Sequence, residues 1–194
     1  MSKSDPSAAR QERKKAVRWV VTIFFVTILI SGTISLLSDI IMENSTMAVA
    51  FLILLFIILV GIIFDVVGMA VASADEKPFH SMAARKVAGA QEAISLLRKA
   101  ERVSSICNDV IGDICGVVSG GASATIALQI LSKFDFSWPQ IVSLGMSALA
   151  AGLTVGGKAI GKSFAVNSST KIVHTVGRII YRLKHFPDLF RKRK

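Results

Sequence analysis

Four long apolar stretches limit what this chain can fold into. They are Trp19–Leu37, Met47–Ala74, Val103–Leu131 and Ile141 to about Ile160. A membrane-spanning helix needs about 20 mostly apolar residues, and each stretch is close to that length or longer. The mean hydropathy of the whole chain is +0.59, although 19% of its residues are charged. The sequence therefore predicts an all-α membrane protein with four transmembrane helices.

The basic residues between these stretches alternate in number. Residues 1–18 hold six Lys and Arg, the loop at 38–46 holds none, and the segment at 75–102 holds six. The loop at 132–140 holds one, and the chain from Lys158 onward holds ten. Because basic loops stay on the cytoplasmic side, we expect a multi-pass protein of the cell membrane. Its N-terminus, its central segment and its C-terminus should all be cytoplasmic.

The chain has a formal net charge of +10. Positive loops next to a bilayer explain this charge, because they set the topology and attract anionic headgroups. The composition therefore predicts the lipid bilayer as a partner and no nucleic acid. Residues 1–15 are polar and charged, which is typical of a disordered segment.

An amphipathic segment connects the second and third stretches. Within residues 79–102 the apolar positions recur at helical spacing with basic residues between them. A basic amphipathic helix beside a membrane usually lies along its surface. We expect helical structure there on the cytoplasmic face, and Gly89 allows a short hairpin.

Three acidic residues fall inside the predicted helices. Asp65 lies nine residues before Ala74, and Asp113 lies ten residues after Val103. At 1.5 Å per residue these positions are about 13 and about 15 Å from the cytoplasmic ends of two antiparallel neighbours. Asp65 and Asp113 can therefore lie at the same depth on two neighbouring helices. A separation above about 10 Å would exclude a shared ligand shell.

The residues around Asp113 offer oxygen atoms as ligands. Ser105, Asp109 and Asp113 share one helical face, and Asn108 lies on an adjacent strip. Hard cations such as Mg²⁺ take carboxylate, amide and hydroxyl oxygens. The pattern predicts a cation site, because acidic residues inside spans tend to mark ion pathways. A neutral structural carboxyl, or an aspartate near the headgroups, is the alternative for each acid.

Three short motifs in the predicted helices resemble those of a known family. Phe64–Ser73 is similar to F-x-G-S-E-T-A-L-x-S, and Ser105–Gly112 to L-I-G-N-T-L-V-N. Val155–Ser163, with one additional residue, is similar to F-G-E-x-x-P-K-S. In this order they resemble the transmembrane domain of the CNNM/CorC (CorB-like, cyclin-M-like) magnesium transporters, over about Phe51–Lys171. The polar matches are Asn108, Gly156, Lys162 and Ser163.

The resemblance divides the chain into four parts. Residues 1–18 form a basic cytoplasmic N-terminus, and residues 19–45 an additional first transmembrane helix with its outer loop. Residues 46–170 correspond to a divergent, stand-alone CNNM-like domain, and residues 171–194 to a basic amphipathic tail. The family's first-motif Ser and Glu fall on Val67 and Gly68. Two explanations stay open: the oxygen ligands are redistributed to the aspartates, or the site has lost its transport role.

A divalent-cation transporter is therefore the leading hypothesis. Mg²⁺ would bind between helices 2, 3 and 4 at the set Asp65, Asn108, Asp109, Asp113 and Gly156, where the Gly156 region closes the site. The resemblance further implies a homodimer and Na⁺ as a coupling ion. The alternative is a non-transporting assembly partner or regulator. No Ser-His-Asp, zinc or nucleotide-binding pattern suggests an enzyme.

The topology can be tested by cysteine labelling in intact cells. In a variant that lacks Cys107 and Cys115, we expect Ser45→Cys to react with an impermeant maleimide and Arg98→Cys to react after permeabilisation. This result follows because the loop at 38–46 has no basic residue, whereas the segment at 75–102 has six. The opposite labelling pattern would mean an inverted topology.

Overall fold

The computed structural model describes residues 6–43, 45–134 and 137–191. These residues are 90% helical and contain no strand. A π-helical segment, Ile106–Gly112, joins two of the helices without a break. The helices are α1 (Pro6–Glu43), α2 (Met47–Ser73), α3 (Lys77–Ala84), α4 (Ala90–Leu97), α5 (Ala100–Ser105), α6 (Asp113–Lys133), α7 (Pro139–Asn167) and α8 (Ser169–Arg191).

Four helical stretches in the described residues are long and apolar enough to cross a membrane. They are Val17–Met42, Met47–Ser73, Ala100–Lys133 and Pro139–Asn167. Each is at least 26 residues long, which exceeds the roughly 20 residues that span a hydrocarbon core. The prediction of an all-α chain with four such helices is confirmed.

The N-terminal region differs from the sequence-based expectation. Residues 1–15 were expected to be disordered, but α1 begins at Pro6. Proline suits the first turn of a helix because the missing N–H has no partner there in any case. The following Ala, Arg, Gln, Glu and Lys residues are strong helix formers. The apolar helix therefore extends through the basic segment, while residues 1–5 lie outside the described residues.

Helix α2 lies at the centre of the fold and packs against α6 and α7. Two apolar clusters surround it at different levels. The first includes Leu54 and Ile58 of α2 and Ile126 of α6. The second joins the C-terminal part of α2, including Val71, to α3, α4, α7 and α8, and contains the fully buried Phe79. The residues of α2 between these clusters include Asp65.

Helix α1 packs mainly along α6. Thr125 Oγ1 donates a 3.2 Å hydrogen bond to Asp39, and Gln129 Nε2 donates a 2.7 Å hydrogen bond to the Met42 carbonyl. About halfway along α1 toward its N-terminus, the Arg102 guanidinium lies 5.0 Å from the centre of the Trp19 ring. Contacts at two separate levels therefore hold α1 against the third candidate span.

The central segment forms two short helices. Between α3 and α4 the backbone reverses through Lys86 and Gly89, which have φ of 55° and 88°. Residues 79–102 are thus largely helical, as predicted, with the hairpin break at Gly89. Their position at the cytoplasmic surface stays a prediction.

The predicted amphipathic tail corresponds to α8, which docks on α4. Gly177 of α8 lies directly against the backbone of Gly89 and Ala93. The Lys184 ammonium lies 3.7 Å from the Glu92 carboxylate and adds a polar contact to this interface. The absence of a side chain at Gly177 allows the two helices to approach closely.

The substitution Gly177→Ala should loosen this interface. A methyl group there would lie 3.0 Å from the Ala93 nitrogen and closer still to the Gly89 carbonyl. Overpacking of this kind costs about 1–3 kcal/mol. We expect faster amide hydrogen exchange in α4 and α8, because local opening becomes easier.

Gly145→Ala is the matched control, because no atom lies within 4 Å of the added methyl position. Exchange in α4 and α8 should be unchanged in that variant. Equal exchange in the two variants would contradict the close approach of α4 and α8.

Candidate functional site

A buried carboxylate lies in the middle of the fold. Asp65 is 3% exposed, and it belongs to a 27-residue helix in which it is the sole charged residue. Its Oδ1 lies 3.8 Å from Lys158 Nζ, and its Oδ2 lies 3.9 Å from Lys162 Nζ. Burying an unpaired carboxylate is costly. The two lysines of α7 therefore provide the opposite charge that Asp65 requires.

The Lys158 ammonium also contacts the third candidate span. It lies 3.9 Å from Asp113 Oδ1 and donates a 3.3 Å hydrogen bond to the Gly112 carbonyl. Lys158 thus connects Asp65 of α2 with the start of α6. Because both carboxylates lie near one Nζ, Asp65 and Asp113 fall within the 10 Å limit set by a shared site. These distances agree with the prediction that the two carboxylates lie close together.

The two carboxylates differ in their surroundings. The Asp65 side chain is 4% exposed, whereas the Asp113 side chain is 71% exposed. Lys158 is 20% exposed and Lys162 is 50% exposed. The cluster of Asp65, Asp113, Lys158 and Lys162, called the charge cluster below, is therefore open on the Asp113 side. Its formal charges sum to zero when all four groups are ionised.

The π-helical segment positions Asn108 against α2. A π-helical turn holds more residues than an α-helical turn, so it redirects the side chains along one stretch of helix. A methyl group at Gly68 would collide with the Asn108 amide, so the bare backbone there allows the approach. Asn108 Nδ2 donates a 3.2 Å hydrogen bond to Ser104 Oγ. Its Oδ1 is buried without a hydrogen-bond partner, as is Asp65 Oδ2.

Two other residues of the predicted site lie elsewhere. Asp109 is exposed and accepts a 2.9 Å hydrogen bond from Ser105 Oγ. Gly156 lines an apolar groove between α2 and α7, together with residues such as Leu59 and Ile62. On an α-helix, positions 156 and 158 point in nearly opposite directions. Lys158, rather than Gly156, is therefore the residue of α7 that faces the two aspartates.

Sequence reasoning missed the part that Lys158 plays. Lys158 interrupts the fourth apolar stretch near its end, and neither the hydropathy pattern nor the predicted ligand set gives it a role. A signal was present, because Lys158 and Lys162 are spaced i, i+4 and so share one helical face. Two lysines on one face of an apolar helix need acidic partners, and the neighbouring apolar stretches contain them.

The arrangement provides oxygen atoms but no preformed metal shell. Within residues 6–43, 45–134 and 137–191, no three His, Cys, Asp or Glu side chains gather closely enough to hold a metal ion. The available oxygens are the two carboxylates, the Gly112 carbonyl and the Asn108 amide oxygen. Oxygens of these types suit hard cations such as Mg²⁺. The Lys158 ammonium lies among three of these four oxygen-bearing groups.

Comparison of the chain with known proteins found no match. No protein-family model, no curated protein and no solved structure matches the chain. The resemblance to the CNNM/CorC transporters therefore stays a prediction that rests on its three motifs.

The close contact between Gly68 and Asn108 gives a test of the site geometry. In Gly68→Ala the new methyl group would lie 2.8 Å from Asn108 Cγ and 2.9 Å from Cys107 Cβ. We expect a stability loss of about 1–3 kcal/mol from overpacking, measured by thermal unfolding in detergent micelles.

Gly116→Ala is the control from the same region. No atom lies within 4 Å of its methyl position, and alanine favours a helix over glycine by up to about 1 kcal/mol. Its unfolding temperature should stay the same or rise. If Gly68→Ala were equally stable, Asn108 would not pack against α2.

Proposed function

We propose that this chain is a multi-pass protein of the cell membrane that transports a divalent cation of the magnesium type. The observation that supports this most is the charge cluster, in which α2, α6 and α7 each contribute ionisable residues at one level. Ionisable residues inside membrane spans are rare and usually belong to ion pathways. The four apolar helices are compatible with such a membrane protein.

The oxygen atoms of the cluster suit a hard cation. Asp65 and Asp113 would provide the charged ligands, and Asn108 would add its unpartnered amide oxygen. Asp109 lies one turn from Asp113 on the exposed side and would attract cations toward the site. The two carboxylates would neutralise a divalent ion bound between them once the Lys158 and Lys162 ammonium groups had moved away.

The unequal exposure of the two carboxylates supports transport rather than static binding. Asp113 is open whereas Asp65 is buried. A cation can therefore reach Asp113 before it reaches Asp65. A shift of α7 would be needed before the cation could contact both carboxylates. Alternating access to the two sides of the membrane would follow from such a shift. Coupling to Na⁺ and a homodimeric assembly follow from the family resemblance alone.

A second candidate is a non-transporting assembly partner or regulator. The contact of Lys158 with both carboxylates favours it, because an internal cation already neutralises the acids. In that case the charge cluster would simply hold α2, α6 and α7 in register. Both candidates share the same fold, so ligand binding separates them.

The proposed function predicts that Mg²⁺ stabilises the folded protein. A ligand at 100 times its dissociation constant adds about 2.7 kcal/mol to the free energy of unfolding. We expect Mg²⁺ to raise the unfolding temperature in detergent micelles, and Asp65→Asn or Asp113→Asn to remove most of that rise. Proteoliposomes that contain a fluorescent Mg²⁺ indicator should show uptake that the same substitutions abolish.

Glu101→Gln is the control, since Glu101 is exposed at the start of α5 and lies outside the charge cluster. Both readouts should match those of the unsubstituted protein. If Mg²⁺ changes neither stability nor the indicator signal, transport of Mg²⁺ is wrong, and the regulator hypothesis is favoured.

A further inference from the structure

Oxygen atoms from three elements surround the Lys158 ammonium. Nζ lies 3.8 Å from Asp65 Oδ1 of α2 and 3.9 Å from Asp113 Oδ1 of α6. The Gly112 carbonyl, at the end of the π-helical segment, accepts its hydrogen bond at 3.3 Å. A positive group with carboxylate and carbonyl oxygens around it occupies the position that a bound cation would take.

The contacts that hold this ammonium are loose. Charge-assisted hydrogen bonds from nitrogen to a carboxylate are usually about 2.7–2.9 Å long, and both carboxylate distances at Lys158 are longer. Asp65 Oδ2 also remains without a hydrogen-bond partner. Lys158 therefore neutralises the acids without saturating their oxygens, and its 20% exposure leaves it partly accessible.

We propose that Lys158 is a tethered cation that fills the site when no ion is bound and competes with the incoming ion for Asp65 and Asp113. This inference rests on the proposed function, because it assigns a role to Lys158 within the same site. The ammonium stays attached to α7, so its withdrawal from the carboxylates requires α7 or the Lys158 side chain to move. Ion binding is thereby linked to a change at the contact between α7 and the other two helices.

Charge balance indicates how the exchange proceeds. With both lysines protonated, the charge cluster is neutral, and adding a divalent cation would leave it with two excess positive charges. Like charges at such short distances repel strongly where water is scarce. A divalent ion therefore replaces both ammonium groups, while a monovalent ion would replace one of them. Lys162 is half exposed and can turn toward solvent, so Lys158 is the competitor that controls binding.

Removal of the competitor should strengthen ion binding. Where a competing group occupies the site in nine-tenths of the molecules, the apparent dissociation constant is raised about tenfold. We therefore expect Lys158→Met to lower the Mg²⁺ concentration for half-maximal stabilisation about tenfold or more. The measurement is thermal unfolding of the full chain in detergent micelles during an Mg²⁺ titration, with choline chloride holding the ionic strength constant.

Two further variants complete the experiment. Lys171→Met removes the same charge from an exposed position at the start of α8 and should leave the midpoint unchanged. Lys158→Arg keeps the charge and provides a planar fork that can hold a carboxylate through two hydrogen bonds. It should compete more strongly and shift the midpoint to higher Mg²⁺ concentration.

The outcomes separate this inference from the proposed function. If Mg²⁺ stabilises the unsubstituted protein and Lys158→Met leaves the midpoint unchanged, competition by Lys158 is wrong and the proposed transport is not. If Mg²⁺ stabilises neither protein, the proposed function fails and the inference fails with it. If Lys158→Met does not fold even in saturating Mg²⁺, the ion cannot replace the ammonium, and this also overturns the inference.

Discussion

The ion pair between Asp65 and Lys158 is the contact on which the rest of the arrangement depends. A carboxylate that is 3% exposed within a long apolar helix requires an opposite charge nearby. The nearest ammonium comes from α7, so α7 must pack beside α2 with Lys158 facing inward. This requirement fixes the rotation of α7 about its axis. It also explains why Gly156, on the other side of α7, faces an apolar groove.

The surrounding packing keeps this charged contact in place. One apolar cluster lies on each side of Asp65 along α2. Both clusters include a residue of α7, but the first otherwise uses α1 and α6, and the second uses α3, α4 and α8. Glycines shape the region between them. Gly61 lies against Cys115, and Gly68 lies against Asn108, so both allow the third candidate span to approach α2 closely. Larger residues at these positions would separate the helices and lengthen every distance within the charge cluster.

The sequence predicts the helical framework well, because hydropathy and helix rise are local properties. Counting residues from the ends of two apolar stretches correctly placed Asp65 and Asp113 at one level. The partner of these acids was not predicted, because a hydropathy profile treats Lys158 as an interruption. The π-helical segment at Ile106–Gly112 depends on packing against α2 and has no clear signal in the residues themselves. The helical start at Pro6 shows that local propensity can outweigh a polar composition.

The exposed position of Asp113 limits what can lie beside α6 in the proposed membrane protein. Its side chain is 71% exposed, and Asp109, also exposed, lies one turn away. Acyl chains cannot solvate a carboxylate, so in a bilayer this face of the third candidate span would require water or another protein surface beside it. Val117 and Leu128 of α6 are each 67% exposed as well, and they suit contact with lipid or with an apolar partner. In a bilayer, the boundary between a polar and an apolar environment would therefore lie along α6, next to Asp113 and within reach of the Lys158 ammonium.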